Sequence, residues 1–215
     1  MYQAVFVDDN KELNAPDENL IQHPDIAFFL SSQGNAASDE DGEIYRVPAE
    51  KNAIQNQLDA LFFENFGERM YQNDSGIDDA LIKTILAFFK KNPSCKIIYL
   101  DHDLTLTCHH GLLDVAIMKK FFTDNIVDSK TFSQYVGYFF GNVDRYKKIK
   151  KFLEKLKGCG TSIKILTKQP STDSIKLNMQ LCKLDHLFDE YISSEKRKIE
   201  KFDLIKKEID KNKKP

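Results

Sequence analysis

The sequence predicts an α/β domain built around a mostly parallel sheet. Short apolar, β-branched segments alternate along the chain with longer segments whose apolar residues recur at helical spacing. This alternation is typical of units in which a helix connects two parallel strands. Several of the short segments end in aspartates, and functional groups in such sheets lie beyond the carboxyl ends of the strands. We therefore expect a polar site along one edge of the sheet.

Five segments have the composition of buried strands. In chain order they are 4–7 (AVFV), 26–30 (IAFFL), 96–100 (KIIYL), 163–166 (IKIL) and 190–192 (EYI). Three of them run directly into conspicuous polar residues, which are Asp8 and Asp9, Asp101 and Asp103, and Thr167. Because the carboxyl ends of parallel strands meet at one edge of a sheet, these side chains are expected to lie near one another.

The segments between the strands carry apolar residues at helical spacing. Helices are predicted over 49–66, 77–91, 144–156, 175–183 and 201–209. Asp144 is placed to cap the N-terminus of the helix that follows it. Residues 112–141 are rich in aromatic side chains and are also predicted to be mainly helical, with these rings packing onto the domain rather than contacting a substrate.

Length and composition describe a globular protein. The 215 residues have a mass of 24.8 kDa, which fits one domain. Apolar residues make up 41% and charged residues 30%, which excludes a disordered chain. The net charge of −2 argues against a dedicated nucleic-acid binder. The high content of lysine, asparagine and isoleucine is typical of AT-rich, for example bacterial, genomes.

The sequence shows no membrane or secretion signal. No apolar run approaches the ~18 residues that span a bilayer, and residues 1–10 contain two aspartates and no basic residue. The four cysteines form no C-x-x-C pair and are predicted to be reduced and mostly buried. We therefore expect a cytoplasmic protein. Export by a route that needs no signal peptide stays an alternative.

The acid pair after the third strand has the spacing of a catalytic site. Asp101 lies at the strand tip, where a carboxylate can act as a nucleophile or a metal ligand. Asp103 follows two residues later and can give or take a proton. With Asp9 these oxygens suit Mg²⁺, which would bring a phosphate to Asp101, and Thr167 could donate a hydrogen bond to a phosphoryl oxygen. Acids that only form turns are the alternative, against which the repeated polar strand ends argue.

Four stretches resemble the motifs of the haloacid dehalogenase-like (HAD) superfamily. IIYLDHDLTLT at 97–107 resembles its first motif, an apolar strand followed by D-x-D-x-T, and IKILTKQP at 163–170 resembles the second, a strand ending in Thr. The third motif is a lysine near the start of the following helix, for which Lys201 fits best and Lys198 is the alternative. AVFVDDN at 4–10 resembles the fourth motif, a strand that ends in paired acids.

The order of these motifs differs from that of the family, because the fourth one stands at the N-terminus. The arrangement resembles a circular permutation in which joining Pro215 to Met1 restores the family's order. A fourth motif located beyond Pro215 is the alternative. The resemblance covers about residues 1–34 and 95–210 and implies a Rossmann-like, three-layer α/β/α fold with a mostly parallel five-stranded sheet. The strand order that it implies is 26–30, 4–7, 96–100, 163–166, 190–192.

The resemblance also implies a single domain over residues 1–215. Residues 35–94 would be a helical connecting segment and residues of about 108–143 a small cap-like insertion. A small cap leaves the site open. A phosphoprotein carrying phosphotyrosine or phosphoserine is therefore as acceptable a substrate as a small metabolite.

The activity implied by the resemblance is Mg²⁺-dependent hydrolysis of a phosphomonoester through an aspartyl-phosphate. Asp101 would be the nucleophile, and Asp103 the general acid and then the general base. Asp101, the backbone carbonyl of Asp103 and Asp9 would hold Mg²⁺. Asp8 would support them or replace one of them as a ligand.

Phosphate binding would fall to Thr167 and to one lysine, either Lys201 or Lys198. His102 is expected to line the pocket through its position rather than its chemistry. Two other interpretations stay open, a non-catalytic interaction module on the same scaffold and a phosphoacceptor receiver-like domain. A receiver would keep its phosphate and would have no use for Asp103.

Overall fold

A computed structural model describes residues 1–9, 24–33, 75–108, 119, 122, 129–195 and 200–212. Within these residues the strands are β1 Ala4–Asp8, β2 Ile26–Leu30, β3 Ser32–Gln33, β4 Ser75–Gly76, β5 Ile97–Leu100, β6 Ser162–Thr167 and β7 Glu190–Ser193. The helices are α1 Asp79–Lys91, α2 Ser129–Phe140, α3 Val143–Gly158, α4 Asp173–Leu181 and α5 Lys201–Asn212, with a short 3₁₀ turn at Asp185–Leu187.

The main sheet has the predicted composition and strand order. Its five strands run in the order β2-β1-β5-β6-β7, and every neighbouring pair is parallel. All five predicted strand segments coincide with these strands to within one residue at either end. The α/β prediction is therefore confirmed, as is the placement of the N-terminal strand inside the sheet, second in the order, rather than at its edge.

Apolar side chains cover both faces of the sheet, so the domain has three layers. One face packs against α1, α2, α3 and α4, and the opposite face packs against α5. Alternating residues of β1 divide between these faces, with Val5 and Val7 on the first and Ala4 and Phe6 on the second. The strands consequently read as continuous apolar runs, which is the pattern of a parallel sheet buried on both sides.

The helix predicted over 144–156 begins one residue earlier and has a different cap. The side chain of Asn142, not of Asp144, accepts a hydrogen bond from the backbone N–H of Arg145 at 2.7 Å. Asp144 instead lies in the first turn, where its charge favours the positive end of the helix dipole. The prediction was wrong in this detail because Asn and Asp are nearly equivalent as caps and both stood at the boundary.

The connecting and cap-like segments are only partly described. The predicted helix over 77–91 is confirmed as α1, whereas the helix predicted over 49–66 lies outside the described residues. Helix α2 lies within the expected insertion, and Tyr135, Phe139 and Phe140 are at most 1% exposed. These rings pack into the core, as expected from the sequence.

The pairing of β3 with β4 was not predicted. Ser32 and Gln33 run antiparallel to Ser75 and Gly76, in a small sheet separate from the main one. The strand segments predicted from the sequence include neither of these residue pairs. Two-residue strands carry no alternation of apolar and polar side chains, so the sequence contains no signal for them.

Asp189 joins β6 to the turn before β7, and replacing it should destabilise the fold in a pH-dependent way. Its carboxylate accepts hydrogen bonds from the Lys157 ammonium at 2.6 Å and from the Ile163 N–H at 2.8 Å. Burial alone would raise the pKa of Asp189, but these donors hold it below its ordinary value. We expect Asp189→Ala to lower Tm at pH 7 by about 2–4 °C, corresponding to about 1 kcal/mol for one lost hydrogen-bonded carboxylate.

The lowered pKa of Asp189 determines how the Tm difference between wild type and Asp189→Ala changes with pH. A lowered folded-state pKa means that the stabilisation is complete above the ordinary value of 3.8 and is lost as the pH falls through the folded-state value. The difference in Tm between wild type and variant should therefore shrink below pH 4. Glu154→Ala, which removes a half-exposed carboxylate 4.0 Å from Lys150, is the control and should change Tm little. A difference that stays constant with pH would contradict this account of Asp189.

Candidate active site

A buried lysine bridges two aspartates at the carboxyl edge of the sheet. Asp8 ends β1, Asp101 follows β5, and Lys201 is the first residue of α5. The Lys201 Nζ atom lies 2.8 Å from Asp8 Oδ2 and 2.7 Å from Asp101 Oδ1. The three side chains are 6%, 1% and 6% exposed in the order Lys201, Asp8, Asp101. The structure thus brings one of the two candidate lysines to the candidate nucleophile, while Lys198 lies outside the described residues.

The electrostatics of this group favour the charged lysine and oppose a charged Asp101. Burial raises the pKa of Asp101 well above its ordinary value, and the charges of Asp8 and Asp103 raise it further, whereas Lys201 lowers it. Burial acts to lower the pKa of Lys201, but the charges and hydrogen bonds of Asp101 and Asp8 raise it above its ordinary value. Lys201 therefore counteracts the effect of burial and favours the anionic form of Asp101.

Three carboxylates converge close enough to share one cation. One oxygen from each of Asp8, Asp9 and Asp101 lies within 4.8 Å of the other two. Asp8 and Asp101 are buried, whereas Asp9 is partly exposed and so lies toward the open side of the group. A donor set made only of carboxylate oxygens fits a hard divalent cation such as Mg²⁺ and does not fit zinc in a structural site.

Asp103 is held apart from that cluster by two neighbours. Its Oδ1 atom lies 2.9 Å from His102 Nδ1, and its Oδ2 atom accepts a hydrogen bond from Gln169 Nε2 at 3.0 Å. The described carboxylate groups that could hold a metal do not include the Asp103 side chain. A metal role for Asp103 would accordingly use its backbone carbonyl rather than its carboxylate.

His102 is buried beside the acid that follows it. Its side chain is fully buried rather than lining an open pocket, and it contacts the Asp103 carboxylate directly. The expected place of His102 along a pocket is therefore wrong, whereas its contribution by position rather than by chemistry stays a prediction. The sequence could not show this contact, because neighbouring side chains on a strand point to opposite faces and only the turn after β5 brings these two together.

The turn after β5 is compact and strained. The backbone N–H and the hydroxyl of Thr107 both donate to the carbonyl of His102, at 3.0 and 3.1 Å. Leu104 takes a left-handed conformation with φ of 54°, which is unusual for a residue other than glycine. Such strain persists only where the surroundings hold the turn in place. Asp101 begins the turn and Asp103 lies within it, so the contacts that hold the turn also position these two side chains.

The carbonyl of Thr105 is the point at which the turn is held. It accepts hydrogen bonds from the Ile77 N–H at 2.9 Å and from Arg145 Nη2 at 3.1 Å, and the Thr105 hydroxyl lies 3.2 Å from that of Ser31. Gly76 has a φ of 99°, and a Cβ atom there would collide with both Arg145 and the Thr105 carbonyl. The small β3–β4 sheet therefore braces the turn from one side, and only glycine fits at this contact.

Arg145 links the turn to the end of α2, and we expect Arg145→Met to lower the stability of the protein. Its guanidinium donates to the carbonyls of Thr105 and Phe140, and burial lowers its pKa. The loss of two partly buried hydrogen bonds should cost about 1–3 kcal/mol, or about 2–10 °C in Tm. Lys147→Met, which changes a lysine 68% exposed on the same helix, is the matched control. An unchanged Tm for Arg145→Met would show that the turn holds its shape without this contact.

Thr167 lies at the end of β6, next to β5 in the sheet, and so shares the carboxyl edge with Asp101. It is 1% exposed, and its hydroxyl accepts a hydrogen bond from the Gln169 N–H at 3.1 Å. Its carbonyl accepts hydrogen bonds from the Ser194 N–H at 2.9 Å and the Ser194 hydroxyl at 3.2 Å. These bonds fix the strand end that carries Thr167.

A polar clamp on the sheet orients the helix that carries Lys201. Glu208 Oε2 accepts a hydrogen bond from the Tyr99 hydroxyl at 2.7 Å and lies 3.2 Å from Lys164 Nζ. Tyr99 stands on β5 and Lys164 on β6, so two central strands hold one residue of α5. Together with the buried apolar residues of α5, the clamp directs the first residue of that helix at Asp8 and Asp101.

Comparisons with protein-family models, curated proteins and solved structures found no match for this chain. Among the helices of the described residues, none combines the length and apolar character needed to cross a membrane. Because the comparisons found no match, the case for a function depends on the geometry of the site.

Three of the four cysteines are buried and all four are free thiols, as predicted.

Proposed function

We propose that the protein is a Mg²⁺-dependent phosphomonoester hydrolase that acts through an aspartyl-phosphate. The observation that carries this proposal is the group at the strand ends, in which the Asp101 carboxylate lies 2.7 Å from a buried ammonium and next to two further carboxylates. A merely structural role explains it poorly, because burying two acids with one base, and a third acid partly exposed beside them, costs free energy that apolar side chains would not.

Asp8, Asp9 and Asp101 would hold the cation, with the Asp103 carbonyl as the further ligand that the family resemblance implies. When bound, Mg²⁺ would offset the charge of the acids and of the phosphoryl oxygens. Lys201 and Thr167 would bind the phosphate, the first through its charge and the second through its hydroxyl. Asp8, Thr167 and Lys201 lie on β1, β6 and α5, and Asp9 and Asp101 directly follow β1 and β5, so regular elements position them. Asp103 lies in the turn after β5.

The reaction divides into two displacements at phosphorus. In the first, an Asp101 oxygen forms a bond to phosphorus while the bond to the leaving-group oxygen breaks, and Asp103 gives that oxygen its proton. In the second, Asp103 takes a proton from water, the water oxygen bonds to phosphorus, and the bond to Asp101 breaks. Inorganic phosphate leaves, and both carboxyl groups return to their starting states.

Hydrolysis of para-nitrophenyl phosphate tests the proposal. We expect turnover by the wild type in Mg²⁺, none in EDTA, and recovery when Mg²⁺ is restored. Asp9→Asn should raise the Mg²⁺ concentration for half-maximal rate by about ten-fold or more, because it removes a ligand but not the nucleophile. Asp144→Asn, an exposed acid outside the cluster, is the control and should leave the Mg²⁺ dependence unchanged.

The outcomes separate the competing interpretations. If the wild type hydrolyses para-nitrophenyl phosphate, its rates with phosphotyrosine and phosphoserine peptides can be compared with its rates with small phosphate esters. The faster group would define the substrate class. A protein that takes phosphate from acetyl phosphate and keeps it would be a receiver-like domain. A protein that neither hydrolyses nor accepts phosphate with any divalent cation would be an interaction module, and the proposal would be wrong.

A further inference from the structure

Gln169 reaches Asp103 from a backbone that is tied to two strand ends. Its N–H donates to the Thr167 hydroxyl at 3.1 Å, and its carbonyl accepts a hydrogen bond from the Ser193 hydroxyl at 2.6 Å. Thr167 ends β6 and Ser193 ends β7. The position of Gln169 is therefore set by its backbone, and its side chain is left to meet Asp103, where Nε2 lies 3.0 Å from Oδ2.

His102 and Gln169, which both contact Asp103, differ in their access to solvent. His102 holds Oδ1 and is fully buried, whereas Gln169 holds Oδ2 and is partly exposed. The Asp103 side chain is itself 12% exposed, and Oδ2 is the oxygen whose contact, Gln169, is also partly exposed. Oδ2 is accordingly the oxygen that we assign to pass a proton to a leaving group.

The amide of Gln169 suits a carboxyl group that changes its protonation state. It can donate from nitrogen to a charged carboxylate, and it can accept at oxygen from a protonated one. A carboxylate in the same place could only accept, and an apolar side chain could do neither. The contact can thus persist while Asp103 gives a proton and later recovers one.

We propose that Gln169 is a positioning residue that aims the Oδ2 atom of Asp103 at the leaving-group oxygen. The inference depends on the proposed phosphatase function and adds to it a determinant of how well the enzyme cleaves esters with poor leaving groups. A misdirected acid matters little when the leaving group departs as a stable anion. It matters greatly when that group must be protonated as it leaves.

The experiment compares Gln169→Met and Gln169→Glu with the wild type on two matched substrates. Para-nitrophenolate departs without a proton, whereas the phenolate of phenyl phosphate is more basic and benefits from one. The ratio of kcat/KM for para-nitrophenyl phosphate to that for phenyl phosphate reports the step in which the leaving group departs. We expect both variants to raise this ratio by about ten-fold or more, chiefly by slowing phenyl phosphate.

Gln180→Met is the matched control, since Gln180 is exposed on α4 and the chemical change is the same. It should leave the ratio unchanged. A Gln169 variant that slows both substrates equally, or neither, overturns the positioning role while the phosphatase function stands. A wild type that hydrolyses neither substrate overturns the phosphatase proposal and this inference with it. Melting temperatures within about 2 °C of wild type would exclude loss of folding as the cause of a changed ratio.

Discussion

Asp101→Asn should abolish phosphomonoester hydrolysis and leave the protein folded. Without the carboxylate no phosphoryl group can be accepted, and we expect kcat to fall by about 10⁴-fold or more, as for other nucleophiles that act within a catalytic unit. The fold should survive because the amide oxygen can still accept a hydrogen bond from Lys201, which also retains Asp8 at 2.8 Å. Rates with para-nitrophenyl phosphate and melting curves of the same samples check both statements.

The raised pKa of Asp101 determines how the stability of wild type changes with pH relative to that of Asp101→Asn. Burial and the neighbouring acids raise this pKa in the folded protein, so the folded state binds more protons than the unfolded state above the ordinary value of 3.8. Wild-type stability should therefore decline as the pH rises from that value through the folded-state pKa. Asp101→Asn lacks this titration, and its Tm relative to wild type should rise over the same window.

Asp103→Asn is the informative companion, because it keeps the nucleophile and removes the proton carrier. With para-nitrophenyl phosphate the first displacement needs no acid, but the second still needs a base. We expect a burst of nitrophenol equivalent to the enzyme, followed by slow turnover, and a phosphorylated chain in the denatured mass spectrum. Asp101→Asn should show neither. Retained activity in Asp101→Asn would place the nucleophile on another residue.

The sequence was sufficient to predict the sheet and the edge at which the polar residues gather. A parallel sheet buried on both faces requires continuous apolar runs, and these are easily recognised in 4–7, 96–100 and 163–166. Residues that follow such runs must lie at the carboxyl edge, so Asp8, Asp101 and Thr167 could be grouped from the sequence alone.

The supports of the site could not be predicted in the same way. Arg145 acts on the turn 40 residues before it, and Gln169 acts on an acid 66 residues before it. A basic residue in a lysine-rich helix predicts a solvated face, and nothing local distinguishes the one that turns inward. The requirement for glycine at Gly76 likewise arises only from the Thr105 carbonyl that packs against it in the folded protein. Contacts of this kind depend on tertiary packing, for which a single sequence holds no periodic signal.

Lys201→Met should destabilise the protein more than Arg145→Met or Asp189→Ala. It removes the ammonium that lies between the buried carboxylates of Asp8 and Asp101, and the loss of one partner from a buried charge group typically costs about 3–5 kcal/mol. Turnover should fall as well, because without Lys201 the pKa of Asp101 rises further and its nucleophilic anion becomes scarcer. Lys207→Met, which changes an exposed lysine on the same helix, should leave both properties close to wild type.

The pH dependence of that loss distinguishes repulsion between the acids from the loss of packing. In Lys201→Met the folded state relieves repulsion by taking up protons, so the variant should lose stability relative to wild type as the pH rises through the raised pKa that Asp101 has in the wild type. Urea unfolding at a series of pH values above the ordinary value of 3.8 would measure this difference.

Asp8→Asn added to Lys201→Met removes one of the two repelling charges, so the double variant should be more stable at about pH 8 than Lys201→Met alone. If the two losses simply add, and neither changes with pH, then Lys201 stabilises the fold by packing and not by neutralising the acids. In that case Lys201 would not be the group that favours the anionic form of Asp101.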